Sequence, residues 1–203
     1  IVLDNCTVNQ EGLWTAPYLS MAVAVSNGGK AIVNSGTYTA VPTAASEGNN
    51  QGTSHGSWAA GVMNSGGELI INGGTFANGN FGDDALATAA RGLIFGDTAS
   101  KIVINDGTFN ALKSIIDYQN NLGVQPNPNI VINGGNFSAD PSVVTSYGGV
   151  VFDKGKAPVQ GADGRWTLVD AVMDEIGLKV AFENGGNIVL GADITVSETL
   201  TLT

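Results

Sequence analysis

An eight-residue pattern of apolar and polar positions recurs along the chain. Four copies align without gaps, at residues 31–38 (AIVNSGTY), 69–76 (LIINGGTF), 102–109 (IVINDGTF) and 130–137 (IVINGGNF), and residues 1–8 (IVLDNCTV) are a weaker fifth copy. The first and third positions share one face of a strand, because side chains alternate along extended backbone. Their β-branched bulk favours strands, so each copy predicts a short strand with one buried face.

The later positions of the repeat predict a corner followed by a second strand. The fourth position is Asn34, Asn72, Asn105 or Asn133 (Asp4 in the weak copy), the sixth is Gly36, Gly74, Gly107 or Gly135, and the eighth is Tyr38, Phe76, Phe109 or Phe137. Asparagine tolerates left-handed backbone and can build an amide ladder between repeats. Glycine supplies a positive φ, and the aromatic side chains can stack into a column.

The copies start 30, 38, 33 and 28 residues apart, which is typical of repeats with a constant core and loops of different length. A weaker apolar run precedes each of the four strong copies, at residues 21–25, 59–63, 92–95 and 114–118. We therefore predict an all-β fold, a right-handed single-stranded parallel β-helix of about five or six coils and roughly 25–30 Å in length. An antiparallel sandwich with similar hairpins is the alternative.

The repeat pattern stops after residue 137. Residues 147–153 and 164–169 resemble a closing hairpin, and residues 187–190 and 194–202 predict further strands. Between them, residues 170–183 carry Val172, Ile176, Val180 and Phe182 at near-helical spacing, weakened by Gly177, with Asn184-Gly185-Gly186 as the C-cap. We expect β-helix coils over 1–140 and, over 141–203, a capping segment with a short helix and the start of a further β module. Since the sequence begins at Ile1 and ends within a predicted strand, we expect a longer parent protein.

The second repeat position is also apolar (Ile32, Ile70, Val103 and Val131), and alternation places it on the outer face. Simple β-propensity accounts for such a stripe, and the alternative is a face covered by a neighbouring domain or by another subunit of a homo-oligomer. The longest insertion covers residues 41–57, with shorter ones at 81–91 and 120–129. Loops that leave one edge of the stack would form a platform for a glycan or protein ligand.

Several runs between residues 71 and 202 resemble known repeat modules. The runs INGGTF (71–76), INDGTF (104–109), INGGNFSADPS (132–142), GRWTLV (164–169) and ENGGNIVLGADITVSETLTL (183–202) resemble repeat modules of large, adhesin-like surface proteins of gut bacteria. Similar modules occur in some bacteriophage structural proteins. The resemblance covers most of the chain and implies a β-helix with a closing segment. It brings no set of functional residues.

Charge and composition narrow the choice of partners. The net charge is −10, with only 8 Lys and Arg residues, whereas nucleic-acid binding needs clustered cations; anionic membrane surfaces are disfavoured for the same reason. No run reaches the roughly 20 apolar residues of a membrane span. The single cysteine, Cys6, excludes an intramolecular disulfide, and its apolar surroundings predict a buried, inert thiol.

Candidate catalytic residues are few. A lyase-like calcium site needs clustered acids and a nearby base, and one region holds Asp83, Asp84, Asp97, Asp106, Arg91 and Lys101. We interpret these acids as loop and turn carboxylates, since two share an insertion and Asp106 replaces a turn glycine. His55 is the single histidine, which argues against a Ser–His–acid triad or a multi-histidine metal site.

Three aromatic residues flank the loops: Trp14, Tyr18 and Trp58. They would either stack on sugar rings or fill the core and caps. We assign no catalytic, cofactor or metal residue. The sequence favours a non-enzymatic structural or adhesive β-helix domain of a secreted, cell-surface or virion protein. The alternatives are a carbohydrate-active lyase or hydrolase, which would need a groove with converging carboxylates, and a phage fibre or capsid-decoration protein.

Overall fold

The computed structural model describes residues 1–12, 20–42, 57–63, 66–78, 92–97, 99–119, 130–146, 151–153, 155–185 and 187–200. In these residues the chain forms three sheets, called A, B and C here. From edge to edge, sheet A contains β1 (Val2–Leu3), β4 (Gly29–Val33), β7 (Gly67–Ile71), β10 (Ser100–Ile104), β13 (Ile130–Ile132) and β16 (Val151–Phe152). Sheet B contains β17 (Lys156–Gln160), β18 (Trp166–Asp170), β14 (Asn136–Phe137), β11 (Thr108–Asn110), β8 (Thr75–Ala77), β5 (Gly36–Pro42) and β2 (Cys6–Gly12). Sheet C contains β15 (Val144–Ser146), β12 (Ser114–Gln119), β9 (Gly92–Asp97), β6 (Ser57–Met63) and β3 (Ser20–Ser26).

The chain visits sheets A, B and C in turn, and each strand from β1 to β16 lies beside its counterpart one repeat away. All of these pairs are parallel, and the repeats keep their alignment: Ile32 pairs with Ile70, Ile70 with Val103 and Val103 with Val131. The predicted pairing between repeats, including the weak first copy and the strands that precede each copy, is therefore confirmed. The antiparallel sandwich is wrong. We call β1–β16 the parallel stack.

Columns of similar side chains fill the interior of the parallel stack. The first and third repeat positions are buried in all four strong copies, as predicted: Ala31, Val33, Leu69, Ile71, Ile102, Ile104, Ile130 and Ile132. The rings of Tyr38, Phe76, Phe109 and Phe137 stack with successive centroid distances of 5.1, 5.2 and 5.0 Å. Full burial of one such ring contributes about 1.5–3 kcal/mol. The predicted aromatic column is confirmed, and it joins four repeats.

Glycine forms the corner between sheets A and B. Gly36 has a φ of 120°, and the equivalent glycines of the other strong copies also have positive φ. A Cβ on Gly36 would lie 2.2 Å from the carbonyl oxygen of Cys6, so this corner needs glycine for space as well as for backbone angle. Among described non-glycine residues, only Asn5 and Asn27 have positive φ. The left-handed role predicted for the repeat asparagines is therefore wrong.

Sheet C differs from sheets A and B because neighbouring positions along its strands are buried. In β9, Leu93, Ile94 and Phe95 are all buried, and in β12 Ile115 and Ile116 are buried together with Asp117. A strand with successive buried residues has both faces covered, as is typical of parallel sheets inside proteins. The outer faces of sheets A and B instead carry partly exposed side chains.

An antiparallel hairpin ends sheet B. Strand β18 pairs with β14, with Trp166 beside Phe137, and β17 then pairs with β18. The predicted hairpin exists, but its first arm is Lys156–Gln160, because a tight turn at 161–165 makes that pairing local. The described part of 147–153 includes β16, which instead continues sheet A in parallel with β13.

Arg165, in the turn of this hairpin, fastens it to the parallel stack. Its guanidinium donates to Asn110 Oδ1 at 3.1 Å, to the Phe109 carbonyl at 3.4 Å and to the Asn136 carbonyl at 3.2 Å, and its Nε donates to Asn136 Oδ1. Planar guanidinium groups suit several carbonyl acceptors at once. The hairpin is therefore bound to strands β11 and β14, which belong to two successive repeats.

Helix α1 spans Glu175–Asn184. Asp174 caps its N-terminus by accepting from the Gly177 amide at 2.8 Å, and Gly185, with a φ of 69°, caps its C-terminus. The helix and its C-cap are confirmed, but the cap at Asp174 starts it later than predicted. Its predicted apolar face is wrong, since Ile176 is 76% exposed and Leu178 is the buried residue.

The predicted strands after the helix are also corrected. Within described residues 187–200, the only β pairing is an isolated parallel bridge between Leu190 and Val172. An alternation of apolar residues did not suffice to form strands there, because a strand also needs a neighbouring strand with which to pair. We call residues 155–200 the C-terminal segment.

Candidate binding surfaces

Three long insertions of the chain leave the parallel stack at one corner. Residues 13–19, 43–56 and 79–91 each connect a strand of sheet B with the next strand of sheet C. Residues 120–129 instead connect sheet C with sheet A. These insertions lie outside the described residues, but the strands that bracket them are described. Because successive strands in a sheet are about 4.8 Å apart, the bases of the first three insertions lie side by side. We call this place the B–C corner.

A buried asparagine closes the base of the insertion 79–91. Asn78 is fully buried, and its Nδ2 donates to the carbonyl of Gly92 at 3.0 Å, which joins the last residue before the insertion to the first after it. Its Oδ1 accepts from the Leu112 amide of the next repeat at 2.9 Å. A buried amide with both ends bonded is held in one geometry. The ends of this insertion are thereby fixed relative to the stack.

A tryptophan anchors the end of the insertion 43–56. Trp58 is 1% exposed, and its indole Nε1 donates to Asp117 Oδ2 at 2.9 Å. Its ring also contacts Phe95, with centroids 4.8 Å apart. Asp117 is itself 2% exposed, so the indole provides a hydrogen bond that a buried carboxylate needs. Trp58 is thus a core residue, which confirms the core alternative for it and excludes the alternative that it stacks on sugar rings at the surface.

The outer face of sheet A is the second candidate surface, and it has three columns. One is charged (Lys30, Glu68 and Lys101), one is apolar (Val2, Ile32, Ile70, Val103 and Val131) and one is the amide column (Asn34, Asn72, Asn105 and Asn133). The members of the apolar column are partly or fully exposed. The outward stripe predicted from sequence is confirmed.

The amide column forms a continuous ladder. Each Nδ2 donates to the Oδ1 of the preceding repeat, at 2.9 Å from Asn72 to Asn34, 2.8 Å from Asn105 to Asn72 and 2.7 Å from Asn133 to Asn105. In the first copy, Asp4 accepts instead from Ser35 Oγ at 2.5 Å. The predicted ladder is confirmed for the four asparagines, and its bonds all point the same way along the stack.

The charged column is an ion-pair network. Glu68 contacts Lys30 Nζ at 2.5 Å and Lys101 Nζ at 2.7 Å. The hydrogen bond from Lys101, then that from Lys30, lowers the pKa of the Glu68 carboxyl below its usual value. The three side chains are exposed enough that solvent screens their attraction. The three charges alternate along the column in the order cation, anion, cation.

The structure describes two of the four candidate acids, Asp97 and Asp106. Asp97 Oδ1 accepts from Ser100 Oγ at 2.7 Å and from the Ala99 amide at 3.0 Å, and Asp106 Oδ1 accepts from the Gly107 amide at 2.8 Å. Both are turn carboxylates, as interpreted. Strand β10 separates them by about 13 Å at ~3.3 Å per residue, more than the roughly 5–10 Å of a glycosidase pair.

The remaining candidates fall into two groups. Lys101 belongs to the ion-pair network of sheet A. Asp83, Asp84, Arg91, His55, Trp14 and Tyr18 lie outside the described residues. Within the described ranges, no three His, Cys, Asp or Glu side chains are grouped as metal ligands. No helix in that part of the chain is long and apolar enough to cross a membrane.

Two corrections concern single residues. Cys6 is half-buried, not fully buried, and its Sγ lies 3.4 Å from the Asp4 carbonyl, because it occupies the corner position that glycine holds in the other repeats. Asp117 was missed as a site residue. Its signal is a charged residue within the apolar run 114–118, which a strand covered on both faces tolerates only with hydrogen-bond partners.

In comparisons with known proteins, the sequence matches no family model and no curated protein, and the fold matches no solved structure.

Proposed function

We propose that this chain is a right-handed single-stranded parallel β-helix that acts as a non-enzymatic structural or adhesive domain, presenting loops at the B–C corner for contact with a glycan or a protein. The parallel order of β1–β16 and the visits to sheets A, B and C in turn support the β-helix. Right-handedness follows from the strong preference of parallel crossover connections. Such a domain would belong to a secreted protein, or to a protein on the surface of a bacterium or a virion.

The anchoring of two insertions at one corner carries this proposal. Asn78 and Trp58 hold the ends of neighbouring insertions through buried hydrogen bonds to Gly92 and Asp117. Binding loops are commonly held by a rigid scaffold. Because the bases of such loops are already ordered, little conformational entropy is lost there when a ligand binds. The interior of the parallel stack is filled by buried side chains along its inward-facing columns. Such packing makes the scaffold rigid, and the insertions at the corner can vary without disturbing it.

Loop replacement tests the proposal. The chain is screened on arrays of glycans and of extracellular proteins, and residues 43–56 or 79–91 are then replaced by a short Gly-Ser linker. Residues 120–129, at the other corner, are replaced in a matched control. We expect loss of at least tenfold in affinity for the first two variants and little change in the control. Equal loss in all three, or no effect in any, would contradict the proposal.

An enzyme assay on the same variants checks the alternative. Acidic polysaccharides are incubated with the chain, with and without calcium, and new reducing or unsaturated ends are measured. The scaffold proposal expects no cleavage above the level of a heat-unfolded control. Calcium-dependent cleavage lost on replacement of residues 79–91, which include Asp83 and Asp84, would favour a lyase and overturn it.

A further inference from the structure

Five asparagines of the chain are each followed directly by a glycine: Asn27, Asn72, Asn78, Asn133 and Asn184. In such a pair the glycine nitrogen can attack the asparagine side chain in water, because glycine has no Cβ to hinder the approach. The result is spontaneous deamidation. We propose that the folded chain directs this modification to Asn184, at the end of helix α1, and that it loosens the helix. The site lies in the C-terminal segment, so it does not depend on binding at the B–C corner.

Deamidation at Asn184 proceeds in two steps. The backbone nitrogen of Gly185 bonds to Cγ of Asn184, the bond between Cγ and Nδ2 breaks, and Nδ2 leaves as ammonia with the proton of the glycine amide. Water then opens the cyclic imide, either at Cγ to leave aspartate or at the main-chain carbonyl to leave isoaspartate. The first step requires that the side chain can turn and that the glycine nitrogen can leave its hydrogen bonds.

Hydrogen bonds restrain the side chains of three of the five asparagines. Asn78 is fully buried and bonded at both ends of its amide. Asn72 is bonded at both ends within the amide ladder, at 2.9 and 2.8 Å, and Asn133 donates to the ladder at 2.7 Å. Attack on any of these side chains must first break bonds that the register of the parallel stack holds in place.

Asn27 is restrained through the backbone. It is exposed, with a φ of 53°, in the turn between β3 and β4, and the Gly28 amide donates to the Gly66 carbonyl at 2.9 Å. Both flanking strands pair with the next repeat. The attacking nitrogen is therefore bonded to a neighbouring repeat, and the backbone around it cannot turn without disturbing two sheets.

Asn184 is the least restrained of the five. It is the last residue of helix α1, its side chain is exposed, and within the described residues that side chain makes no hydrogen bond to another residue. The Gly185 amide donates at 3.1 Å to the Ala181 carbonyl and at 3.3 Å to that of Phe182, and the space around Gly185 is open, with no atom within 4 Å of an added Cβ. Helix ends open at low cost in free energy, so the reactive geometry is accessible here.

The modification would act on the whole helix. A new carboxylate at its C-terminal end opposes the helix dipole, and isoaspartate lengthens the main chain at the residue where the cap forms. The helix also holds the residues that follow it, since Glu175 accepts from the Ser197 amide at 2.9 Å and Lys179 contacts Glu198 at 2.6 Å. Deamidation of Asn184 should therefore expose the backbone around Lys179.

Peptide mass spectrometry of the full chain, aged at mildly alkaline pH, tests the site. The mass gain that accompanies replacement of NH2 by OH is followed at each pair, in the folded chain and in the chain unfolded in guanidinium chloride. We expect similar rates at all five pairs in the unfolded chain. Folding should slow the reaction less than about threefold at Asn184 and at least about tenfold at the other four. Equal slowing at all five, or a faster reaction at another pair in the folded chain, would overturn the proposal.

Limited proteolysis tests the effect on the helix. Trypsin cleavage after Lys179 should become at least about threefold faster in the aged chain, and Asn184→Gln, which retains an amide but lengthens the side chain, should abolish this increase. Asn27→Gly is the control, because it removes another exposed pair at a position whose positive φ suits glycine, and it should leave the increase unchanged. An equal increase in the Asn184→Gln chain, or none in the unsubstituted chain, would contradict the proposal.

Discussion

The parallel stack and the C-terminal segment are built from the same kinds of residue but hold together differently. In the stack, every repeat position lies beside the same position of the next repeat, so burial, ring stacking and amide bonds recur along columns. In the described residues from 155 to 200, Leu178 is the one buried side chain, and order comes from a hairpin whose strand β18 pairs with β14, from two helix caps and from Arg165. A register repeated over many strands thus produces a continuous buried core, whereas a single hairpin and a short helix leave nearly all of their side chains at least partly exposed.

Truncation of a core side chain should produce the largest difference in lost stability between the parallel stack and the C-terminal segment. Phe76→Ala removes the ring that contacts both Tyr38 and Phe109, and we expect a loss of about 4 kcal/mol in unfolding free energy. Leu178→Ala should cost about 2 kcal/mol, because its surroundings are partly solvent-exposed and can collapse. Urea unfolding followed by near-ultraviolet circular dichroism measures both. Equal losses would mean that the C-terminal segment has a core of its own.

Two glycine substitutions compare a crowded corner with an open one. Gly36→Ala needs a positive φ and pushes a Cβ against the Cys6 carbonyl, so we expect a cost of about 3 kcal/mol. Gly164, in the hairpin turn, has a φ of 79° and no atom within 4 Å of an added Cβ. There we expect about 1 kcal/mol or less, since only the backbone angle is strained. Thermal unfolding of both variants checks the order, and a larger cost at Gly164 would refute it.

The ladder can be probed at its middle and at its end. Asn105→Ala removes two amide bonds, one to Asn72 and one from Asn133, whereas Asn133→Ala removes only the bond to Asn105. We expect about 1 kcal/mol for the first and about half of that for the second, because these bonds are open to water. Chemical unfolding measures the ratio of the two stability losses, provided that both variants show the same dependence of unfolding free energy on denaturant concentration. Equal losses of stability in the two variants would contradict the expectation that each amide bond contributes to stability.

The smallest effect concerns pH. Because its lysine partners lower the pKa of Glu68 in the folded chain, the carboxylate stabilises the fold above its unfolded value of about 4.3, and this stabilisation is lost as the pH falls through the lower, folded value. Glu68→Gln should therefore flatten the decline of stability below about pH 4.3. Unfolding curves between pH 7 and 3 test this, with Glu183→Gln as the control. A steeper decline in the Glu68 variant would contradict the sign.

The sequence predicted the stack well because its repeats state the register directly. Asn72 and Asn105 occupy the same column of an alignment and the same column of the structure, so ladder, aromatic stack and inward face could all be inferred from position. The C-terminal segment offered no second copy to compare. There, the spacing of Ile176 and Val180 suggested a buried helical face, yet both residues are exposed, because a short helix buries only the face that another part of the chain covers.

The candidate surfaces were predictable to different degrees. The outer apolar stripe followed from alternation, since its parity is fixed by the buried Leu69 and Ile71 on either side of Ile70. The hydrogen bond that anchors Trp58 could not be predicted in this way. Trp58 and Asp117 are 59 residues apart, and insertions of different length separate the strands that carry them. Only the three-dimensional stacking of sheet C brings an indole and a carboxylate together there.

The register of the columns also bears on how such a chain can change in evolution. A duplication or loss of one complete repeat leaves every asparagine, glycine and ring beside an equivalent residue, whatever the length added at the corners. A single residue inserted within a strand would turn its apolar side chains outward instead. We therefore expect the chain to tolerate the gain or loss of whole repeats and changes in the length of its insertions, but not single residues inserted within its strands.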